Sequence, residues 1–282
     1  MSETAQKLPV PGDVGKLYDR LTVSAMSDGT FNTNVHIGYW DTPDSTATIE
    51  EAMDRLTDVF IERLKVDENS HVLDLGCGVG GPGLRLVERT GARLTGISIS
   101  QEQIKAANRL AAEAGASERA VFQHADAMKL DFPDDSFDAV MALESLCHMP
   151  DREQVLREVR RVLRPGGRLV LTDIFERFPR KEVRHEGIDK FCEGLMSTTA
   201  DLEDYIPMLH RAGLRSLAVV DVTEETTLRL ADEVAKLGAV EDRPVALDEG
   251  NFFDDGTFKP SDLEGVDDFG CLLVTAERPK TA

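Results

Sequence analysis

The groups able to do chemistry stand at the ends of short apolar runs. The first is Val72-Leu73-Asp74-Leu75-Gly76-Cys77-Gly78-Val79-Gly80-Gly81-Pro82-Gly83. Glycines at this density permit positive φ and let a ligand touch the backbone. A phosphate loop needs Lys and then Ser/Thr after its last glycine, whereas Gly83 is flanked by Pro82 and Leu84. Asp74 would repel pyrophosphate and suits a cationic ligand. Ser98 ends the next run, where a nicotinamide-binding chain usually carries an acid for the ribose. Gln103 follows it, although Ser100-x-x-Gln103 also has capping-box spacing. Asp126 lies just past the third run and His148 just past the fourth, in Glu144-Ser145-Leu146-Cys147-His148-Met149-Pro150. Histidine is the natural base near neutrality. Asp173, near the end of the fifth run, can orient an imidazole or touch a substrate.

These groups need a scaffold that brings strand ends together. Apolar runs at 71–75, 93–98, 120–124, 137–143 and 168–174 alternate with helical patterns such as 101–114 and 151–163. The second helix should be closed by Pro165-Gly166-Gly167. Such alternation predicts a parallel sheet with helices on both faces. Upstream, Thr48 and Glu51 have capping-box spacing, and Met53, Leu56, Phe60 and Leu64 share one helix face. Downstream, 175–210 reads as largely helical and breaks the alternation. Strands are expected at 217–222 and 270–276, a helix at 227–237, and a long acidic loop at 242–268.

The Asp74-x-Gly76-x-Gly78-x-Gly80 run resembles motif I of class I S-adenosylmethionine-dependent methyltransferases. That cofactor carries a sulfonium and an ammonium and no phosphate, which agrees with the electrostatics. The stretch from Gly96 to Gln103 is similar to the subset that methylates sterols, lipids and secondary metabolites. Leu143-Glu144-Ser145-Leu146-Cys147-His148-Met149-Pro150-Asp151 and Arg161–Gly167 resemble actinobacterial natural-product O-, N- and C-methyltransferases, sugar enzymes included. The resemblance covers residues 50–175 well and the remainder weakly.

It implies an α/β fold: a Rossmann-like seven-stranded sheet, six strands parallel and the last antiparallel. Residues 1–65 would form cofactor-covering helices and 66–282 the core, with 175–210 inserted as a helical lid. Cofactor contacts would come from Tyr18, Trp40, Asp74, Gly76, Gly78, Ser98, Gln103, Asp126, Ala127, Leu143 and His148. Trp40 has a rival role as a packed staple for the N-terminus. His148 and Asp173 would be catalytic, His148 as general base. Relatives often carry a His-His pair where this chain has Cys147-His148. Within the lid, Phe191, Leu195, Met196 and Met208 have spacing that fits pocket lining and ordinary helix packing equally.

Composition limits the partners. The chain has 282 residues, with 32 Lys+Arg against 52 Asp+Glu, a net charge of −20. This argues against binding phosphate-rich polymers or anionic membranes. The Asn/Asp-Pro-Pro-aromatic motif of DNA adenine methyltransferases is absent from 143–151. The four cysteines are scattered, so no metal site is expected. No leader-like apolar stretch stands at the start, and the expected compartment is the cytoplasm. The expected partner is a small-molecule acceptor, with a homodimer left open. The leading expectation is methyl transfer to a hydroxyl or amine of a secondary metabolite. The rivals are C-methylation of a sterol or prenyl alkene, with Glu144 as the carboxylate, and a cofactor-bound cyclase or binding protein that transfers no methyl.

Overall fold

The structure, a computed structural model, describes residues 7–28, 32–177, 185–230, 232–233 and 269–280. The acidic 242–268 stretch and the end of the expected 227–237 helix lie outside them, although residues 227–230 and 232–233 are helical.

Helix α1 (Pro11–Asp28) is followed by α2 (Ile49–Leu64), whose N-terminus carries the expected Thr48/Glu51 capping box. Strand β1 (His71–Leu75) leads into α3 (Gly81–Thr90), β2 (Arg93–Ser98) into α4 (Gln101–Glu113), and β3 is Ala120–His124. Next come β4 (Phe137–Ala142), a 3₁₀ turn (Leu146–His148), α5 (Arg152–Val162) and β5 (Leu163–Glu176). Helix α6 (Glu186–Gly194), β6 (Ala200–Asp201), α7 (Leu202–Arg211), β7 (Arg215–Asp221) and β8 (Phe269–Glu277) complete the described elements.

The sheet runs β3-β2-β1-β4-β5-β8-β7, with β8 antiparallel to both neighbours. The expected seven strands are therefore present, with the last one antiparallel. An eighth, the two-residue β6, pairs with β5 and was not anticipated, being too short to show a period.

Alternation divides the core. Leu73, Leu75, Val140, Leu169 and Leu171 pack on one face with α5 and α7 residues. Val72, Leu94, Ala139, Met141 and Val170 pack on the other with α2, α3 and α4 residues. Central strands buried on both faces read as near-continuous apolar runs, which is why β1 and β4 were legible. Each fully buried Leu or Val contributes roughly 1.5–3 kcal/mol.

Three boundaries differ from expectation. Strand β5 begins at Leu163, directly after α5, and not at 168. Phe137 pairs with Leu163 and Ala139 with Arg168, so Pro165-Gly166-Gly167 sits in an irregularity that spares proline a ladder bond. Helix α2 packs on α3 and on β4 and β5, so it belongs to the core layer. Within 175–210, α7 also packs on the core, against α5 and β7.

No described helix is long and apolar enough to cross a membrane, and no cluster of metal-ligating side chains occurs among the described residues.

Candidate functional site

The carboxyl ends of β1, β2 and β4 surround a cleft of about 780 Å³, its open mouth included. This is where doubly wound sheets bind ligands. Tyr18, Gly76, Gly78, Ser98, Gln103, Asp126, Ala127, Leu143 and His148 all line it. Pro11, Val14 and Val35 from the N-terminal segment close one side, and Met128, Met149 and Pro150 add apolar wall.

The glycine turn shapes the floor. Gly76 adopts φ +81°, and a Cβ there would stand 2.3 Å from Cβ of Ser145. Gly78 adopts φ +52°, and a Cβ there would meet nothing within 4 Å. One glycine is thus demanded by packing, whereas the other leaves room open to the cleft.

Beside the turn, Ser98 Oγ donates to Gln103 Oε1 at 2.7 Å, and both side chains are buried. The Ser100 N–H donates to Ser98 Oγ, and Ser100 Oγ caps the Gln103 N–H. Only half of the capping box forms, because the Gln103 side chain points to Ser98 at the cleft wall. Asp126 Oδ1 accepts from the Met128 N–H at 2.8 Å, which holds its loop.

His148 stands in the 3₁₀ turn after β4. Its Nδ1 lies 3.3 Å from the Met196 carbonyl and its Nε2 2.8 Å from the Tyr18 hydroxyl. A carbonyl only accepts, so Nδ1 carries the hydrogen and Nε2 is the free base that Tyr18 donates to. Burial lowers the imidazole pKa, keeping the ring neutral at physiological pH, and raises that of Tyr18. The neighbouring Glu144 takes φ 48° and accepts the Ile37 N–H at 3.0 Å on Oε1. Burial raises its carboxyl to about 7.

Three expected site residues are placed elsewhere. Trp40 is 2% exposed; its indole N–H donates to the Ala47 carbonyl at 3.0 Å, and its ring packs against Gly38, outside the cleft lining. This is the packed staple. Asp173 does not touch His148. Its carboxylate takes both a bidentate pair from Arg152, at 2.7 and 3.0 Å, and the Tyr205 hydroxyl at 3.0 Å. Asp74 is 2% exposed and lies under the first turn of α3, where a Cβ on Gly83 would sit 2.9 Å from its Oδ2. It shares the sheet face of Val72 and does not line the cleft.

Asp74 makes a stability prediction. Burial raises its carboxyl to about 7. The folded chain therefore keeps a proton that the unfolded chain releases between about pH 4 and 7, and stability falls as pH rises through that window. Asp74→Asn should raise the melting temperature of the ligand-free protein at pH 8, by up to a few kcal/mol of stability, and give no gain at pH 4. Calorimetry at the two pH values checks this.

Sequence reasoning missed other residues of the site. Asp19 Oδ1 accepts from Ser100 Oγ at 2.6 Å and from the Glu102 N–H at 3.0 Å, pinning α1 to the start of α4. Arg152 and the Met196 carbonyl also act around His148. All are long-range contacts with no local spacing signature.

The cleft suits a zwitterionic nucleoside. Among the described residues no Lys or Arg lines it, the acids Asp126 and Glu144 do, and Gly78 leaves room against the backbone. The strand order and this phosphate-averse glycine turn define a class: Rossmann-like nucleoside-binding α/β proteins. Residues 73–171 match the model of a methyltransferase domain. The chain is 38% identical over 276 residues to the 27-O-demethylrifamycin SV methyltransferase of Amycolatopsis mediterranei, covering 96% of this chain and 98% of that protein. It is 42% identical over 217 residues to the methyltransferase GfsG of Streptomyces halstedii, covering 76% and 77%. Among solved structures, the [4+2]-cyclase SpnF superposes with a TM-score of 0.81 at 31% identity, covering 98% and 99%. The geranyl diphosphate C-methyltransferase of Streptomyces coelicolor, at 20% identity and a TM-score of 0.77, shares the fold. The chain belongs to the S-adenosylmethionine-dependent methyltransferases and uses S-adenosylmethionine as its cofactor.

Proposed function

We propose that this enzyme methylates a hydroxyl of a small secondary metabolite, with His148 as general base. The observation that supports it most is the Nε2 of His148, held unprotonated at the cleft wall as the acceptor of the Tyr18 hydroxyl. When bound, the cofactor supplies an electrophilic methyl on a sulfonium. The chain's own task is to hold the acceptor in line and take its proton. Well-oriented intramolecular reactions reach effective molarities of about 10⁵–10⁸ M, so positioning can supply much of the rate. An acceptor hydroxyl takes the place of the Tyr18 hydroxyl on Nε2, and Nε2 receives its proton as the oxygen–methyl bond forms and the methyl–sulfur bond of the sulfonium breaks, a neutral thioether being the leaving group. The Met196 carbonyl then holds the imidazolium through Nδ1. The apolar wall of Val35, Met128, Met149 and Pro150 fits a largely apolar acceptor. Relatives named as O-methyltransferases include enzymes of Aspergillus sclerotiorum and Penicillium expansum.

In this reading Ser98, Gln103, Asp126, Ala127 and Leu143 hold the nucleoside, and Tyr18, Gly76 and Gly78 the amino-acid end. Helix α1, pinned by Asp19, acts as the cover, and α6 serves the acceptor side as part of the lid. C-methylation of an alkene is less well supported. Tyr18 is the sole Phe, Tyr or Trp among the described cleft-lining residues, too little for a carbocation cage.

A second reading has an observation of its own: the structural likeness to a protein described as a [4+2]-cyclase. The test is incubation with methyl-labelled cofactor and a panel of hydroxyl-bearing secondary metabolites, 27-O-demethylrifamycin SV among them. Label in a product, with release of the demethylated cofactor, upholds methyl transfer. An acceptor that cyclises without gaining label would overturn it in favour of the cyclase.

A further inference from the structure

Asp173 and Arg152 form a buried pair behind the cleft. The Arg152 side chain is 11% exposed and that of Asp173 is fully buried. Removing such charges from water is costly unless every lone pair and N–H is met. Four of the five Arg152 N–H groups are met here, two by Asp173 and two by one particular segment. Arg152 Nη1 donates to Thr198 Oγ1 at 2.7 Å and Nη2 to the Thr198 carbonyl at 2.5 Å. Tyr205 completes the Asp173 side. The Thr198 N–H in turn donates to the Cys147 carbonyl at 2.8 Å, joining the segment to the 3₁₀ turn that bears His148.

Two residues earlier, Met196 adopts φ 48°, a left-handed conformation that non-glycine residues seldom take. That conformation holds only where surrounding contacts over-determine it. The carbonyl it presents is the one His148 Nδ1 binds. The charged groups facing the imidazole are Arg152 from α5 and Asp173 from β5, while Tyr18 from α1 and Glu144 after β4 line the same cleft.

We propose that the Arg152–Asp173–Tyr205 cluster is a positioning device. By clamping Thr198 it holds the Met196 carbonyl against His148 Nδ1, and so sets the tautomer that leaves Nε2 free. Asp173 and Arg152 are then positioning residues, acting on the ring through a backbone carbonyl. The proposal rests on the reading of His148 as base only for its effect on turnover, not for its effect on the ring.

The test is ¹⁵N NMR of histidine-labelled protein, with His148 among the six histidines assigned by the signal lost in His148→Ala. Wild type should show the Nδ1–H form. Arg152→Lys keeps the charge but loses the planar fork. Thr198→Val removes the two bonds of the Thr198 hydroxyl, from Arg152 Nη1 and to the Cys147 carbonyl, and leaves the buried charges paired, which keeps the test sound if Arg152→Lys does not fold. Both should show mixed tautomers. Turnover should fall by about tenfold and about threefold respectively, within the roughly hundredfold that a small misplacement can cost, with cofactor KM nearly unchanged. Thr198→Ser should restore both readouts. An unchanged tautomer in a folded Thr198→Val protein overturns the clamp. A shifted tautomer with wild-type turnover upholds the clamp and overturns His148 as base.

Discussion

His148→Ala should lower kcat for methyl transfer by roughly 10²–10⁴-fold, the usual contribution of a positioned general base. Cofactor affinity, measured separately by calorimetry, should change little. The expectation follows from the ring's environment. Nδ1 is committed to a carbonyl, so the only basic lone pair is on Nε2. Burial lowers the pKa, so the ring is already neutral at physiological pH and can accept. Tyr18→Phe makes a useful partner variant, because it leaves the phenyl ring in place and Nε2 without its donor. It should cost less than tenfold if an acceptor hydroxyl replaces Tyr18, well below the general-base range. Near-normal turnover of His148→Ala would mean that positioning alone suffices.

Gly76→Ala should destabilise the fold by about 2–5 kcal/mol, combining left-handed backbone strain with overpacking. The added methyl would meet Cβ of Ser145 at 2.3 Å. Ser145 has little freedom to retreat, because its Oγ donates to the Leu75 carbonyl at 2.6 Å. The clash therefore pushes the ends of β1 and β4 apart, and with them the cleft floor and the 3₁₀ turn that carries His148. Gly78→Ala should behave differently. Its methyl meets nothing, so the fold should lose only about 1 kcal/mol of backbone strain. The methyl would instead occupy the cleft, and cofactor affinity should fall. Chemical denaturation of both ligand-free variants, with cofactor titration of Gly78→Ala, separates the two effects. Equal loss of stability in the two would contradict the packing argument.

The likeness to a cyclase on one side and to O-methyltransferases on the other bears on how such sites diverge. In the proposed reading the cofactor end is built from backbone and from short polar side chains at strand ends. In that reading the acceptor end is formed by the N-terminal segment, Met149 and Pro150, beside the segment that carries Met196. Reaction type can change there while the glycine turn stays.

Much of the site was legible in the sequence because its signals are local. The strand-turn-helix at Asp74–Gly83 depends on neighbours along the chain. So do the placement of Ser98, Asp126 and His148 just past apolar runs and the capping at Thr48. Periodicity likewise placed the strands, because burial on both faces leaves unbroken apolar runs. What tertiary structure alone decided was where side chains at those ends point and whom they meet. Alternation turns Asp74 under α3 with Val72, while Leu73 and Leu75 face the opposite core. Asp173 went to Arg152, and Trp40 went to the Ala47 carbonyl. Tyr18 met His148 across 130 residues of chain. Contacts at that separation leave no spacing to read. They arise only when packing sets strand ends and helices side by side and every buried polar group must find a partner.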